Sequence, residues 1–185
     1  MRNSIATKGL MFAALVMMLA GCGKGRSVGE LIKALKSPDA KERVEAAKAL
    51  GELGSNAEKA APALTEALND PKAKVRRAAA RSLGKIGSAG KQAIPSLTEA
   101  LKDGDARVRY SAAVSLGVFG PESKEAVPGL TQALKDKDAK VRSVAARSLG
   151  KIGPDAKEAI GALKGALTDR DPQVRNAAAT ALKRM

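Results

Sequence analysis

The chain of 185 residues contains no histidine and no tryptophan, and it has one cysteine, one tyrosine and two phenylalanines. Without histidine there is no Ser-His or Cys-His catalytic pair and no imidazole ligand, so we expect no catalytic residues, no cofactor and no metal site. The scarcity of aromatic residues removes the side chains that bury the most area in a core. An interior of Ala, Leu, Val and Ile suits closely packed helices, and the sequence lacks the alternation of β-branched and aromatic residues that strands favour. We therefore predict an all-α protein.

A valine followed by an arginine recurs every 33 residues. Each pair is followed by Ala-Ala and then by a leucine. The pairs are Val75-Arg76, Val108-Arg109, Val141-Arg142 and Val174-Arg175. Such a period is typical of a solenoid, in which each unit buries its apolar face against its neighbours. We predict an α-solenoid of about five helical pairs over residues 27–185.

Each unit is predicted to contain helix A, a short turn and helix B. In the second unit, helix A is expected over Ala57–Asn69 and helix B over Lys72–Ile86. Glycines at a fixed position are predicted to end helix B: Gly54, Gly87, Gly120 and Gly153. Aspartates are predicted to cap its start: Asp105, Asp138 and Asp171. The prolines of helix A either form its first turn or kink it: Pro62, Pro95 and Pro128.

The segment Leu-Lys-Asp-Lys-Asp-Ala-Lys-Val-Arg-Ser-Val-Ala-Ala-Arg-Ser-Leu-Gly-Lys-Ile-Gly (134–153) resembles HEAT repeats, most of all the short HEAT-like repeats related to bilin lyases. The resemblance covers residues 27–185 and implies an α-α superhelix. It also implies a hydrogen-bonded ladder of Asp and Arg between successive units rather than a ligand site at these arginines. The matching pairs are Asp70/Arg76, Asp103/Arg109, Asp136/Arg142 and Asp169/Arg175. Unit one departs from the motif, with Ser37 in place of Asp and Glu42 in place of Val, and is predicted to be a modified cap.

Residues 1–21 have the features of a signal peptide, with Arg2 and Lys8 before a short apolar run. The ending Leu-Ala-Gly-Cys (19–22) resembles the bacterial lipobox, which implies cleavage before Cys22, a lipid on that cysteine and a tether over residues 22–26. An uncleaved anchor with an incidental cysteine is the alternative interpretation. Gly23 rather than Asp after the cysteine implies an exported lipoprotein in the outer membrane or at the cell surface rather than in the inner membrane.

The formal net charge is +14, and most of the excess lies in the helix B segments, above all in residues 72–86. In HEAT-like solenoids helix B lines the concave face, so the resemblance implies a basic inner surface. This surface is expected to bind an acidic protein or peptide, which makes the chain a non-catalytic interaction scaffold. The alternative is the binding of polyanions such as envelope phosphates, acidic polysaccharide or nucleic acid. The lack of aromatic side chains that could stack on bases argues against nucleic acid.

Helix B of unit three interrupts the basic stripe with Tyr110, Val114 and Val118, which share one helical face. In one interpretation they form an apolar hot spot for the hydrophobic anchor of an acidic peptide. In the other, the two valines pack on neighbouring helices and the tyrosine covers a gap. The candidate partner-binding residues are Arg77, Arg81, Lys85, Tyr110, Val114, Val118, Arg147 and Lys151. The alanine-rich face of the last helix is a candidate surface for homo-oligomerisation.

Overall fold

The computed structural model describes residues 25–185, so the predictions for the signal peptide and Cys22 lie outside the described residues. Within this range the chain forms α-helices and 3-10 helices and no strand, which confirms the all-α solenoid. The α-helices are α1 (Val28–Ala34), α2 (Ala40–Glu52), α3 (Ala61–Glu66), α4 (Ala73–Lys85), α5 (Ile94–Ala100), α6 (Ala106–Phe119), α7 (Val127–Ala133), α8 (Ala139–Ile152), α9 (Ile160–Ala166) and α10 (Pro172–Leu182). Odd numbers belong to helix A and even numbers to helix B of five units. None of these helices has the length and apolar character needed to cross a membrane.

Residues at the two ends of helix B determine where it begins and where it stops. The carboxylates of Asp105 and Asp138 accept hydrogen bonds from the backbone N–H groups of Arg107 and Lys140, at 2.8 and 2.7 Å, and Asp171 caps α10 in the same way. The glycines after helix B have positive φ angles between 56° and 78°, which a side chain would strain. These glycines are Gly54, Gly87, Gly120 and Gly153. The predicted caps at both ends of helix B are confirmed.

Helix A is not the continuous helix that was predicted over Ala57–Asn69. A 3-10 segment (Gly54–Ala60) comes first, then α3 and a second 3-10 turn (Ala67–Asn69), with Ala57 outside helical geometry at φ −108° and ψ 21°. Pro62 lies in the first turn of α3, where its missing N–H leaves no hydrogen bond broken. Pro95 and Pro128 occupy the same position in α5 and α7. The prolines therefore begin the α-helical part of helix A.

The units stack so that each covers the one before it. The leucine at the end of helix A shows this directly, because in units one to four it is only 6% exposed, whereas its counterpart in unit five, Leu167, is 38% exposed. The four covered leucines are Leu35, Leu68, Leu101 and Leu134. One continuous apolar core of Ala, Leu, Val and Ile therefore runs along the whole described array.

Successive helices B touch through a serine and a glycine. The hydroxyl of Ser115 in α6 donates a 2.7 Å hydrogen bond to the carbonyl of Ala80 in α4. Opposite this serine lies Gly84, where a Cβ atom would stand 2.5 Å from Ser115 Oγ and 3.0 Å from Ser115 Cβ. The same arrangement recurs between the neighbouring helices, at Gly51 with Ser82 and at Gly117 with Ser148. The absence of a side chain at the glycine is what allows this close approach.

Candidate binding groove

The recurring arginines and aspartates connect each unit to the next. Arg76 donates from Nε and Nη2 to the two carboxylate oxygens of Asp103, at 2.6 and 2.8 Å, and from Nη1 to the backbone carbonyl of Asp70, at 2.8 Å. In units one to four each arginine thus pairs with the aspartate of the following unit and also donates hydrogen bonds to the loop of its own unit. The other bidentate pairs are Arg43–Asp70, Arg109–Asp136 and Arg142–Asp169. Among the described residues, Arg175 donates hydrogen bonds only to the backbone carbonyls of Asp169 and Arg170.

The side chains of these ladder carboxylates are largely buried and ionised. Burial opposes the ionisation of Asp103 and Asp136, but hydrogen bonds from Arg76 and Arg109 and from backbone N–H groups outweigh it, so the pKa of each carboxyl lies below its usual value. The side chains of Arg109 and Asp136 are only 7% and 9% exposed. A ligand in solvent cannot reach them, and their geometry links units instead.

Two adjoining cavities lie on the face of the even-numbered helices that points away from the odd-numbered ones. The larger, here called the central compartment, has a volume of about 620 Å³. The smaller, the basic compartment, has about 370 Å³. Side chains that line the central compartment include Arg77, Arg81, Tyr110, Val114, Lys140 and Arg147. Those of the basic compartment include Lys48, Lys74, Arg77, Arg81, Lys85 and Arg107. Because both share Arg77 and Arg81, the two compartments form one groove across successive helices B.

The groove carries a strong excess of positive charge. Arg77, Arg81 and Arg147 are exposed and make no ion pair or side-chain hydrogen bond with any residue of the range 25–185. Arg107 differs, because its guanidinium binds Asp105 at 2.7 Å and holds the pKa of that carboxyl well below its usual range. The carboxylate that lines the central compartment, Asp138, caps α8. Most of the cations are therefore available to an anionic ligand.

The three apolar residues of unit three have different surroundings. Tyr110 is 36% exposed and lines the central compartment, and its hydroxyl makes no hydrogen bond within the described part of the chain. Val114 lines the same compartment while also packing on the core. Val118 is 53% exposed and lies outside both compartments. Neither interpretation of this stripe describes all three residues, because Val114 packs on the core and Val118 does not.

The structure gathers most of the predicted partner-binding residues into the groove. Arg77 and Arg81 line both compartments, Lys85 lines the basic one and Arg147 lines the central one. Lys151, like Val118, is exposed but outside both. Among residues 25–185, no group of three or more Cys, Asp or Glu side chains is placed to hold a metal ion.

Two features of this region escaped sequence reasoning. One is Arg43, which begins the ladder from unit one although the motif there lacks its aspartate. The other is the serine–glycine contact between helices B, even though both residue types recur with the same period as the leucines. The serine and the glycine of each contact lie on different helices, so their period alone does not show that they meet.

The sequence pattern of the family described as HEAT repeats matches residues 13–84, 28–117 and 94–183 of the chain. No protein with a curated description matches the sequence. The fold is also similar to that of several solved structures.

The complex of CpcE and CpcF of phycocyanin lyase from Nostoc sp. PCC7120 has a TM-score of 0.77 at 30% identity, over 89% of this chain and 67% of that one. An engineered protein has a TM-score of 0.70 at 28% identity, over 86% and 79%. A designed armadillo repeat protein in complex with the peptide (KR)4 has a TM-score of 0.69 at 18% identity, over 98% and 95%. This last likeness concerns the fold alone.

Proposed function

Because the chain belongs to the HEAT-repeat family, we propose that it is a protein-binding scaffold whose groove holds an acidic segment of a partner protein. One observation carries the proposal: Arg77, Arg81 and Arg147, which form no ion pair within residues 25–185, line the same compartment as an apolar centre at Tyr110 and Val114. Positive charge of this kind steers an acidic partner toward the groove, and a desolvated apolar contact at its centre supplies most of the affinity.

The designed armadillo protein offers a contrast in charge. Its peptide, (KR)4, is composed of basic residues. The groove of the present chain is itself basic, so the complementary ligand is an acidic polypeptide.

A non-catalytic role is part of the proposal. CpcE and CpcF belong to a phycocyanin lyase, so an enzyme can be built on a related array. In this chain, however, the polar and charged groups of the groove are arginines, lysines, a tyrosine, a glutamine, serines whose hydroxyls donate to backbone carbonyls, and the carboxylates of Glu52 and the helix-capping Asp138. The sequence contains no histidine. This set of groups is suited to binding and lacks a general base beside a nucleophile.

We further propose that Cys22 carries a lipid that anchors the scaffold to the outer membrane or the cell surface. The support is the sequence Leu-Ala-Gly-Cys (19–22) after a short apolar run. Intact-mass spectrometry of the purified protein is expected to show an acylated chain that begins at residue 22. Cys22→Ala is expected to lack both the added mass and partitioning into detergent. An unmodified cysteine in the wild-type protein would contradict the anchor.

The groove is tested with a fluorescein-labelled acidic peptide and a heparin oligosaccharide as probes of the full chain. Replacing Arg77, Arg81 and Arg147 together by Gln is expected to abolish peptide binding. The matched control replaces Lys124, Lys157 and Lys164, which are exposed outside both compartments, by Gln and removes the same charge. An equal loss in both variants would contradict a specific groove.

A salt titration separates the two classes of ligand. Binding that depends on charge alone is expected to vanish by about 0.5 M NaCl, whereas a peptide with an apolar contact is expected to retain part of its affinity. If the peptide and heparin lose affinity in parallel, polyanion binding rather than protein binding is the function of the groove.

A further inference from the structure

The groove presents one chemical order across three neighbouring helices. Arg81 of α4, Val114 of α6 and Arg147 of α8 are separated by exact repeat lengths and occupy the same position of their helices. All three line the central compartment, and Tyr110 widens the apolar centre on α6. A ligand that crosses the helices therefore meets a cation, an apolar patch and a second cation in turn.

The spacing of these helices selects a backbone conformation for the ligand. Packed helices have axes about 8–10 Å apart, and α6 packs directly against α4 on one side and α8 on the other. In a polyproline II helix every third side chain lies on the same face, and three residues advance about 9.3 Å. In a β-strand every second side chain shares a face, and two residues advance only about 6.6 Å. The helix spacing fits the period of three.

We propose, on the basis of the function proposed above, that the groove recognises a polyproline II segment with an acidic residue three positions before and three positions after an apolar residue. The apolar side chain contacts the ring of Tyr110 and Val114, and the two carboxylates pair with Arg81 and Arg147. A polyproline II backbone has no internal hydrogen bonds. Its carbonyls are therefore open to the Tyr110 hydroxyl, which is unbonded within residues 25–185.

The experiment compares peptides of about seven residues that have the same composition, two Glu, one central Leu and otherwise Pro. In one peptide the glutamates stand three positions from the leucine, and in its isomer they stand two positions away. Fluorescence polarisation with the full chain is expected to show at least about tenfold tighter binding of the first peptide. Replacing its leucine by alanine is expected to lower affinity by a similar factor.

Two variants locate the apolar contact. Tyr110→Ala is expected to remove the preference for leucine over alanine while the salt-dependent part of binding persists. Val118→Ala, on the same helix but outside the compartment, is expected to keep that preference. Equal binding of the two isomers, tighter binding of the two-spaced isomer, or an equal effect of both variants would overturn the inference and leave the acidic-partner function standing. Failure of every acidic peptide to bind would instead overturn the proposed function itself.

Discussion

Arg76 and Arg77 are adjacent in the sequence of α4 and have opposite roles in the structure. The Arg76 guanidinium is largely buried and grips Asp103 of the next unit through two hydrogen bonds. The Arg77 side chain is exposed, lines both compartments and has no partner among the described residues. One step along a helix turns a side chain by about 100°. The same residue type therefore links successive units on one side of the helix and, in the proposed function, binds a partner on the other.

The two sides also differ in how strictly they repeat. On the ladder side, every unit has an arginine, and the glycine that receives the next helix is identical in units one to four. On the groove side, the position of Arg77 is Tyr110 in unit three and Ser143 in unit four. A contact between units requires the same geometry in every unit, so its residues repeat. A ligand has its own sequence of charged and apolar groups, so the residues that bind it need not repeat. Positions that break the repeat are accordingly the place to look for function.

Acid is expected to have the largest effect, because it acts on all ladder carboxylates at once. The pKa values of Asp70, Asp103, Asp136 and Asp169 are lowered in the folded state, in the last mainly by its hydrogen bond to Arg142. Since an unfolded Asp has a pKa of about 3.9, their stabilisation is complete above that pH and is lost as the pH falls through the lower folded values.

The free energy of unfolding in urea, followed by circular dichroism, is expected to be flat near neutral pH and to fall below about pH 4. High salt at neutral pH is expected to leave it nearly unchanged, because buried pairs are screened little, while it weakens binding in the groove. A stability that stays constant down to about pH 2 would show that the ladder does not support the fold.

Arg109→Ala is expected to cause the largest loss among single substitutions. It leaves the Asp136 carboxylate, 9% exposed, without its guanidinium, and breaking a buried pair in this way costs about 3–5 kcal/mol. The matched control is Arg175→Ala, because Arg175 occupies the equivalent position but is exposed and holds no carboxylate. Its effect on the free energy of unfolding is expected to stay below about 0.5 kcal/mol. Equal losses in urea titrations would contradict the role assigned to the ion pairs.

Gly84→Ala tests the close approach of helices B. The new methyl group would meet Ser115 Cβ at 3.0 Å and Ser115 Cα at 3.1 Å, and overpacking of this kind costs about 1–3 kcal/mol. Gly165→Ala, in α9, meets nothing within 4 Å and is expected to stabilise the protein by about 0.4–1 kcal/mol. Thermal unfolding of the two variants should shift in opposite directions. Stabilisation of both variants would mean that helix propensity alone determines the effect and would contradict the close approach at Gly84.

Much of the fold could be predicted because it depends on local chemistry that recurs with one period. The capping aspartates and the glycines, which have positive φ angles in the structure, mark where helix B begins and ends. Neither signal depends on contacts with neighbouring units. The division of helix A into a 3-10 part and an α-helical part could not be predicted. Over only seven residues, the two helix types bury apolar side chains at nearly the same sequence positions.

The positive charge of the groove could be predicted from the sequence, but which apolar residues line it could not. Val114 and Val118 stand four residues apart on one helical face, and sequence reasoning treats them alike. In the structure one packs on the core and lines the central compartment, and the other is 53% exposed outside it. The difference depends on how neighbouring helices B lie against α6, which is a property of packing between units.

The smallest expected effect concerns the start of α4. Lys72 occupies the N-cap with φ −94° and ψ 118° and caps nothing, whereas Asp105 at the same position of α6 has φ −91° and ψ 120° and binds the N–H of Arg107. The backbone is thus already arranged for a capping side chain, and Lys72→Asp is expected to stabilise the protein by about 0.5–1 kcal/mol in urea titrations. Lys72→Ala removes the same positive charge without adding an acceptor. If both variants were stabilised equally, relief of charge repulsion beside the basic compartment, and not capping, would be the cause.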